Sequence, residues 1–225
     1  FLVRNTSRFI AIAPNVKNDL IKLGVKKDQI TLIPNGVIRN TSQPFVEKKP
    51  LNFIVVARLI ELKNLFFLVD VLKLINLEFI LNIYGDGPLK KELNEYIVLA
   101  GLKDKVILHG SVESSVVYKA LEKSNLFFLP SIVEGLSNAL LEAMSFQSIP
   151  IVSAIPGNSF VLGRGLSELT LPLEKEIWVE VIRELTANVV HQEELRLRVS
   201  QRLSRFDIEI VSKECLALYY ELIDD

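Results

Sequence analysis

The stretch NLFFLPSIVEGLSNALLEAMSFQSIPIVSAIPG, residues 125–157, decides the fold. Leu126 to Pro130 is a short apolar run, and Ile149 to Ser153 is another. Between them, Ser137 to Phe146 carries apolar residues at three- and four-residue steps, so the spacing predicts strand, helix, strand. Both runs are apolar throughout instead of alternating, which is the pattern of parallel strands covered on both faces.

The same unit recurs upstream. Apolar runs at Asn52 to Ala57, Phe79 to Tyr84 and Lys105 to His109 read as strands, and Asn64 to Asn76, Leu89 to Ala100 and Glu113 to Lys123 read as helices. Five strands alternating with helices predict an α/β fold, a Rossmann-like doubly wound parallel sheet over residues 51–205. Before it, a strand at Phe9 to Ala13, a helix at Asn15 to Leu23 stopped by Gly24, and a strand at Gln29 to Pro34 make a smaller unit, 1–37, too small to hold a core alone. Ile38 to Pro50, with Asn40, Thr41, Ser42 and Pro44, reads as a linker. After Leu173 the pattern turns helical, and residues 206–225 are expected to be a helix running back toward the first unit.

Composition narrows the function classes. The chain has 225 residues, 49% of them hydrophobic, with Lys+Arg 26 against Asp+Glu 27. That balance provides no broad cationic face, so nucleic acid is not an expected partner and any anion site must be local. Cys215 has no second cysteine to pair with, and no His/Cys metal spacing occurs. No apolar run reaches the length of a bilayer span. The expected location is cytoplasmic, with peripheral attachment to the inner membrane face open for a longer protein. Phe1 is not a methionine, and the expectation is of a piece whose companion domain lies upstream.

The unusual residues fall directly after the strands. Arg58 follows the first, Gly85-Asp86-Gly87-Pro88 the second, Gly110-Ser111 the third, Ser131 to Gly135 the fourth and Ile155-Pro156-Gly157 the fifth. Ligands of open parallel sheets bind at the carboxyl ends of strands, so these loops are expected to converge on one crevice. The bland reading is that βα loops are rich in Gly, Pro and Ser in any such fold. Arg58 and Lys63 bring two cations to the crevice, matched to a diphosphate by the guanidinium fork and the ammonium point charge. Solvated surface at a helix start is the alternative for either. Gly135 lets backbone approach a ligand, and Ser137 or Gly135 caps a helix whose free N–H groups form an anion site. Glu142 stands about 7.5 Å further along that helix, where a carboxylate can accept ribose hydroxyls while Glu134 reaches the transferred group. An exposed helix carboxylate and a dipole-stabilising acid are the plainer readings of Glu142 and Glu134.

These residues resemble those of family-4 (group 1) GT-B glycosyltransferases, in their C-terminal donor-binding domain. The E-x7-E motif stands at Glu134 to Glu142, followed by Ala143-Met144; IPNGV stands at Ile33 to Val37, RL and a lysine at Arg58-Leu59 and Lys63, YGDGP at Tyr84 to Pro88, and LPS with EG at Leu129 to Gly135. The match runs in order over most of Ile10 to Ser153. It implies a retaining enzyme that takes a UDP- or GDP-sugar as substrate, uses no metal or other cofactor, and belongs to polysaccharide assembly. Arg58 and Lys63 would hold the diphosphate, Glu142 the ribose and Glu134 the sugar. Gly85 and Asp86 would line the donor site, backbone at Gly135, Leu136, Ser137 and Asn138 the sugar phosphate, and Val112 the base. The acceptor, a glycan or lipid-linked glycan, would sit mostly on the missing domain, leaving this piece without transferase activity and with apolar strand surface open to self-association.

Several positions depart from the family pattern. Ala57, Asn64 and Gln147-Ser148 stand where glycines are usual, Pro156-Gly157-Asn158 replaces a Gly-Gly stretch, and Ile38 replaces an aspartate. A noncatalytic α/β module using the same crevice, or a sugar-nucleotide epimerase of GT-B type, are the rival readings. Neither requires Arg58, Lys63, Glu134 and Glu142 together.

Overall fold

A computed structural model describes residues 6–40 and 50–224. Most of the expected linker therefore lies outside the described residues. In chain order the elements are β1 (Phe9–Ala11), α1 (Pro14–Lys22), β2 (Ile30–Leu32), β3 (Leu51–Val56), α2 (Leu65–Lys73), β4 (Phe79–Tyr84), α3 (Lys90–Leu99), β5 (Val106–Gly110) and α4 (Ser114–Leu121). There follow β6 (Leu126–Leu129), α5 (Asn138–Ser145), β7 (Ile149–Ser153), α6 (Pro156–Leu162), β8 (Thr170–Leu171), α7 (Lys175–Ala187), α8 (Val189–Leu203) and α9 (Ile208–Asp224).

The larger sheet has six strands in the order β5-β4-β3-β6-β7-β8, all parallel. It is doubly wound, with its sense of progression reversing between β3 and β6. Every residue of β6 and β7 is buried, as their unbroken apolar runs predict. The core is built on Phe53, which stacks on Phe79 at 5.1 Å and meets Phe128 edge-on at 5.3 Å. Trp178 is fully buried below the sheet and satisfies its indole N–H by donating to the Pro172 carbonyl at 2.8 Å. Asp70 on α2 accepts from Tyr96 of α3 at 2.6 Å and from Lys175 of α7 at 2.5 Å, pinning three covering helices together.

Two elements go beyond the sequence reading. The sixth strand, β8, has two residues and pairs Thr170 with Val152 and Leu171 with Ser153. Helix α6 begins with Pro156, which fits a first-turn position because its missing N–H has no helical partner there.

The smaller unit is a parallel β1-β2 pair with α1, centred on Ala11, Val25 and Ile30. Helix α9 packs against it through Ile33, Val211 and Leu218. The Val37 N–H donates to the Phe206 carbonyl at 2.8 Å, and Ile208 N–H returns to Val37 at 3.1 Å. A Cβ at Gly36 would lie 2.9 Å from the Ile208 Cα, so a glycine is what lets the start of α9 sit this close.

Among the described residues, two non-glycines have positive φ, Asn64 at 52° and Gln147 at 61°. These are two of the positions where the family resemblance calls for glycine. At both, the backbone takes the left-handed geometry that glycine adopts without strain. At Gln147 the reason is visible: its N–H donates to Met144 and the Ser148 N–H to Ala143, the paired bonds of a Schellman motif closing α5. Asn tolerates the left-handed region better than Gln. Gln147→Gly is therefore expected to stabilise the chain by a few tenths to about 1 kcal/mol, and Asn64→Gly by less, as read from urea unfolding midpoints.

Candidate functional site

The loops that follow β3 and β6 meet where the strand order reverses. The Ile132 N–H donates to the Leu62 carbonyl at 2.9 Å, joining the two loops directly. The loops after β3 and β4 are joined as well, by Leu59 N–H to Asp86 at 3.0 Å and Leu89 N–H to Leu59 at 3.1 Å. Gly85, at φ 133°, is obligatory here, because a Cβ would fall 1.9 Å from the Ala57 carbonyl oxygen.

Against these loops lies a cavity of about 420 Å³. Arg58, Gly85, Asp86, Val112 and Glu142 all line it, so five of the residues singled out in the sequence share one space. Tyr84 gives it an aromatic wall, and its ring is held by stacking on His109 at 4.3 Å. Arg58 is exposed and has no hydrogen bond or ion pair among the described residues. Asp86 spends its carboxylate on its own turn, accepting from Gly87 N–H at 2.8 Å and Lys90 at 2.8 Å, and the Lys90 ammonium holds it below the usual carboxylate range.

Helix α5 is capped by Ser137, whose hydroxyl accepts from Leu140 N–H at 3.3 Å. Leu136, ahead of the cap, is buried in the core. Asn138 accepts from Asn35 of the smaller unit at 2.7 Å. Both asparagines line a second cavity of about 490 Å³, with Ile33, Gly36, Val37 and Glu142. Glu142 thus stands on the wall between the two cavities. Its carboxylate has no hydrogen-bond or ionic partner among the described residues, and burial raises its pKa above the ordinary carboxylate value.

Lys63 and Glu134 are brought together differently. The Lys63 ammonium is 2.5 Å from Glu134 Oε1, with the two side chains 19% and 10% exposed. The sequence reading placed Lys63 as a cation waiting for a diphosphate and Glu134 as a separate carboxylate; in the structure each neutralises the other. The Ser131 hydroxyl donates to the same oxygen at 2.7 Å. The fully buried Ser153 donates to the Ser131 carbonyl at 2.5 Å, and the fully buried Asn158 donates to the Ser153 carbonyl at 3.0 Å.

Residues the sequence did not single out also hold this loop. Asn15, at the start of α1, donates to the Glu134 carbonyl at 3.1 Å, and Val16 packs against Gly135. No local motif announces Asn15, since its partner is remote in sequence. Gly157, read both as part of the loop after the fifth strand and as a departure from the family pattern, is where a Cβ would meet the carbonyl oxygens of Glu134 and Gly135 at 2.6 Å. Among the described residues no group of three or more His, Cys, Asp or Glu gathers as a metal site would need, and no helix is long and apolar enough to cross a membrane.

Comparison with known proteins matches residues 38–203 to the family described as glycosyl transferases group 1. Among curated relatives, the uncharacterized glycosyltransferase MJ1059 of Methanocaldococcus jannaschii is 29% identical, the match covering 84% of this chain and 57% of the relative. The capsular polysaccharide biosynthesis glycosyltransferase CapH of Staphylococcus aureus is 30% identical over 93% of this chain and 59% of its own length. The chain thus spans little more than half of these relatives. Among solved structures, that of Anabaena Alr3699/HepE in complex with UDP superposes with a TM-score of 0.83 at 18% identity, over 96% of this chain and 64% of that one. The doubly wound sheet is that of GT-B glycosyltransferases.

Replacing Gly157 forces the Glu134–Gly135 backbone away from α6. Gly157→Ala is expected to cost about 1–3 kcal/mol of stability, measured by urea unfolding, whereas Gly165→Ala, with open space around it, is expected to leave the midpoint within about 0.5 kcal/mol.

Proposed function

The chain belongs to the group 1 glycosyl transferases, and from that premise we propose that it is the donor-binding half of a retaining enzyme that uses a nucleotide sugar. The observation that carries the proposal is Glu142: a part-buried carboxylate with no partner among the described residues, on the wall of a cavity that also presents Arg58 and the Val112 segment. A buried carboxylate without a partner is costly unless a ligand supplies donors. The two hydroxyls of a ribose supply them, and base and diphosphate then extend to opposite sides.

In this reading the base lies along the Val112 backbone beside Tyr84. Arg58 and the N–H groups at the start of α5 stabilise the diphosphate. Lys63 reaches the same phosphates, Asp86 braces the turn at Gly85, and Glu134 accepts hydroxyls of the sugar while backbone from Gly135 to Asn138 lines the sugar phosphate. As the bond to the leaving diphosphate breaks, negative charge grows on oxygens that already face Arg58, Lys63 and the helix start, so the transition state gains more than the bound donor does. The sugar passes through an oxocarbenium-like state, and the acceptor attacks from the face the diphosphate leaves.

The acceptor, a glycan or lipid-linked glycan, is proposed to sit largely on a companion domain upstream. The capsule-related match supports a role in polysaccharide assembly; a hexosyltransferase acting on the cytoplasmic side is the proposed form of it. The chain described here is expected to bind nucleotide and to transfer no sugar. No metal or other cofactor enters the proposed mechanism.

The test is calorimetry with UDP and GDP on the wild type and on Glu142→Ala. One nucleotide is expected to bind the wild type and to lose roughly tenfold or more in affinity on the variant, about 1.4 kcal/mol; equal heats from the two proteins would remove Glu142 from the site. A pH series makes a second check. The raised pKa of Glu142 means that in the empty protein stability is lost as pH rises from the ordinary carboxylate value up to the raised one. A ribose stabilises the ionised form, so nucleotide affinity is expected to fall as pH drops through the same raised value. In Glu142→Gln that fall is expected to disappear.

A further inference from the structure

The closed pair of Lys63 and Glu134 has a consequence for which ligands the site favours, given the donor-site reading above, on which the inference rests. We propose that this ion pair makes the site discriminate against the bare nucleoside diphosphate in favour of the intact nucleotide sugar. The pair stands at 2.5 Å with both side chains mostly removed from solvent. Separating such a pair leaves each charge needing a new partner in poor contact with water.

The two ligands meet this demand unequally. A nucleotide sugar brings phosphate oxygens for Lys63 and, on the adjoining sugar, hydroxyls that donate to Glu134. Both members of the broken pair are satisfied. A nucleoside diphosphate brings phosphate alone, and its terminal group carries more negative charge than the bridged phosphate of the sugar. Lys63 gains a partner while Glu134 loses its cation and faces an anion. Ser131, which donates to Glu134 Oε1 at 2.7 Å, still holds the carboxylate in place, so the side chain is not free to swing away. The Glu134 backbone is pinned as well, by Asn15 at 3.1 Å and by the tight approach of Gly157.

The pair therefore acts as a specificity-determining element, one that weakens the hold on the diphosphate once the sugar has gone. Arg58, which has no ion pair among the described residues, attracts the phosphates of both ligands and adds no preference for the sugar. The same logic assigns Ser131 a positioning role: it fixes the carboxylate where repulsion of the bare diphosphate is greatest.

The experiment measures the affinity of the full chain for UDP and UDP-glucose, and for GDP and GDP-mannose, in the wild type, Glu134→Gln and Glu134→Asp. Gln keeps the oxygen that Ser131 binds and removes the charge. Nucleoside diphosphate affinity is expected to rise roughly tenfold in Glu134→Gln, about 1.4 kcal/mol, while affinity for the matching nucleotide sugar stays level or falls. Glu134→Asp, which keeps the charge on a shorter stem, is expected to lie between the two and serves if the Gln variant does not fold. An unchanged or weakened diphosphate affinity in both variants, with the Glu142→Ala effect intact, would overturn the discrimination and leave the donor site standing. Absence of binding by all four nucleotides in the wild type would overturn the donor site, and the inference with it.

Discussion

The reversal of strand order between β3 and β6 is the constraint from which the site follows. These strands are neighbours through Phe53 with Leu126 and Ile54 with Phe127, yet α2, β4, α3, β5 and α4 all lie between them in the chain. On either side of this line the connecting helices cover opposite faces, so no helix fills the crevice above the strand ends. The loops after β3 and β6 are left to close it, and their backbones do so by pairing Ile132 with Leu62. Arg58, Lys63, Glu134 and the start of α5 are all carried on these two segments.

The loops are fixed from beneath by close backbone approaches in place of side-chain packing. Gly85 against the Ala57 carbonyl, Gly87 against Leu59 and Gly157 against Glu134 and Gly135 leave no room for a Cβ. Each contact turns one loop into a support for the next. From the other side, Asn15 and Val16 of the smaller unit meet the same Glu134–Gly135 segment. The Glu134–Gly135 segment is thus held jointly by the large sheet and by α1.

The sheet was legible in the sequence because burial on both faces demands nearly continuous apolar runs, and β6 and β7 fall where those runs stand. The helices were legible from their spacing; of the cavity-lining set, Arg58, Gly85 and Asp86 were legible from their places after strands, Glu142 from its position along α5, and Val112 only from the family resemblance. What escaped has definite causes. Two residues, Thr170 and Leu171, are too few to show a period, and a Pro-Gly start disguised α6 as loop. Asn64 and Gln147 looked like departures from a glycine pattern, because residue identity does not reveal that the backbone still takes the glycine conformation. The Lys63–Glu134 pair joins two remote segments, so each charge read in isolation looked available to a ligand. Asn15 was silent for the same reason.

That last difference bears on how the site is held ready. A carboxylate in an exposed loop would swing out into water when its cation is taken, and the loss of the pair would cost little. Glu134 has less freedom. Its carboxylate is tied to Ser131, the Ser131 carbonyl to buried Ser153, and the Ser153 carbonyl to buried Asn158, so the restraint runs from the crevice into the core in three steps. On the proposed reading, the member of the pair left to move when a donor binds is Lys63, a flexible stem. On the donor-site reading proposed above, such an arrangement selects its ligand through charges that must be satisfied together.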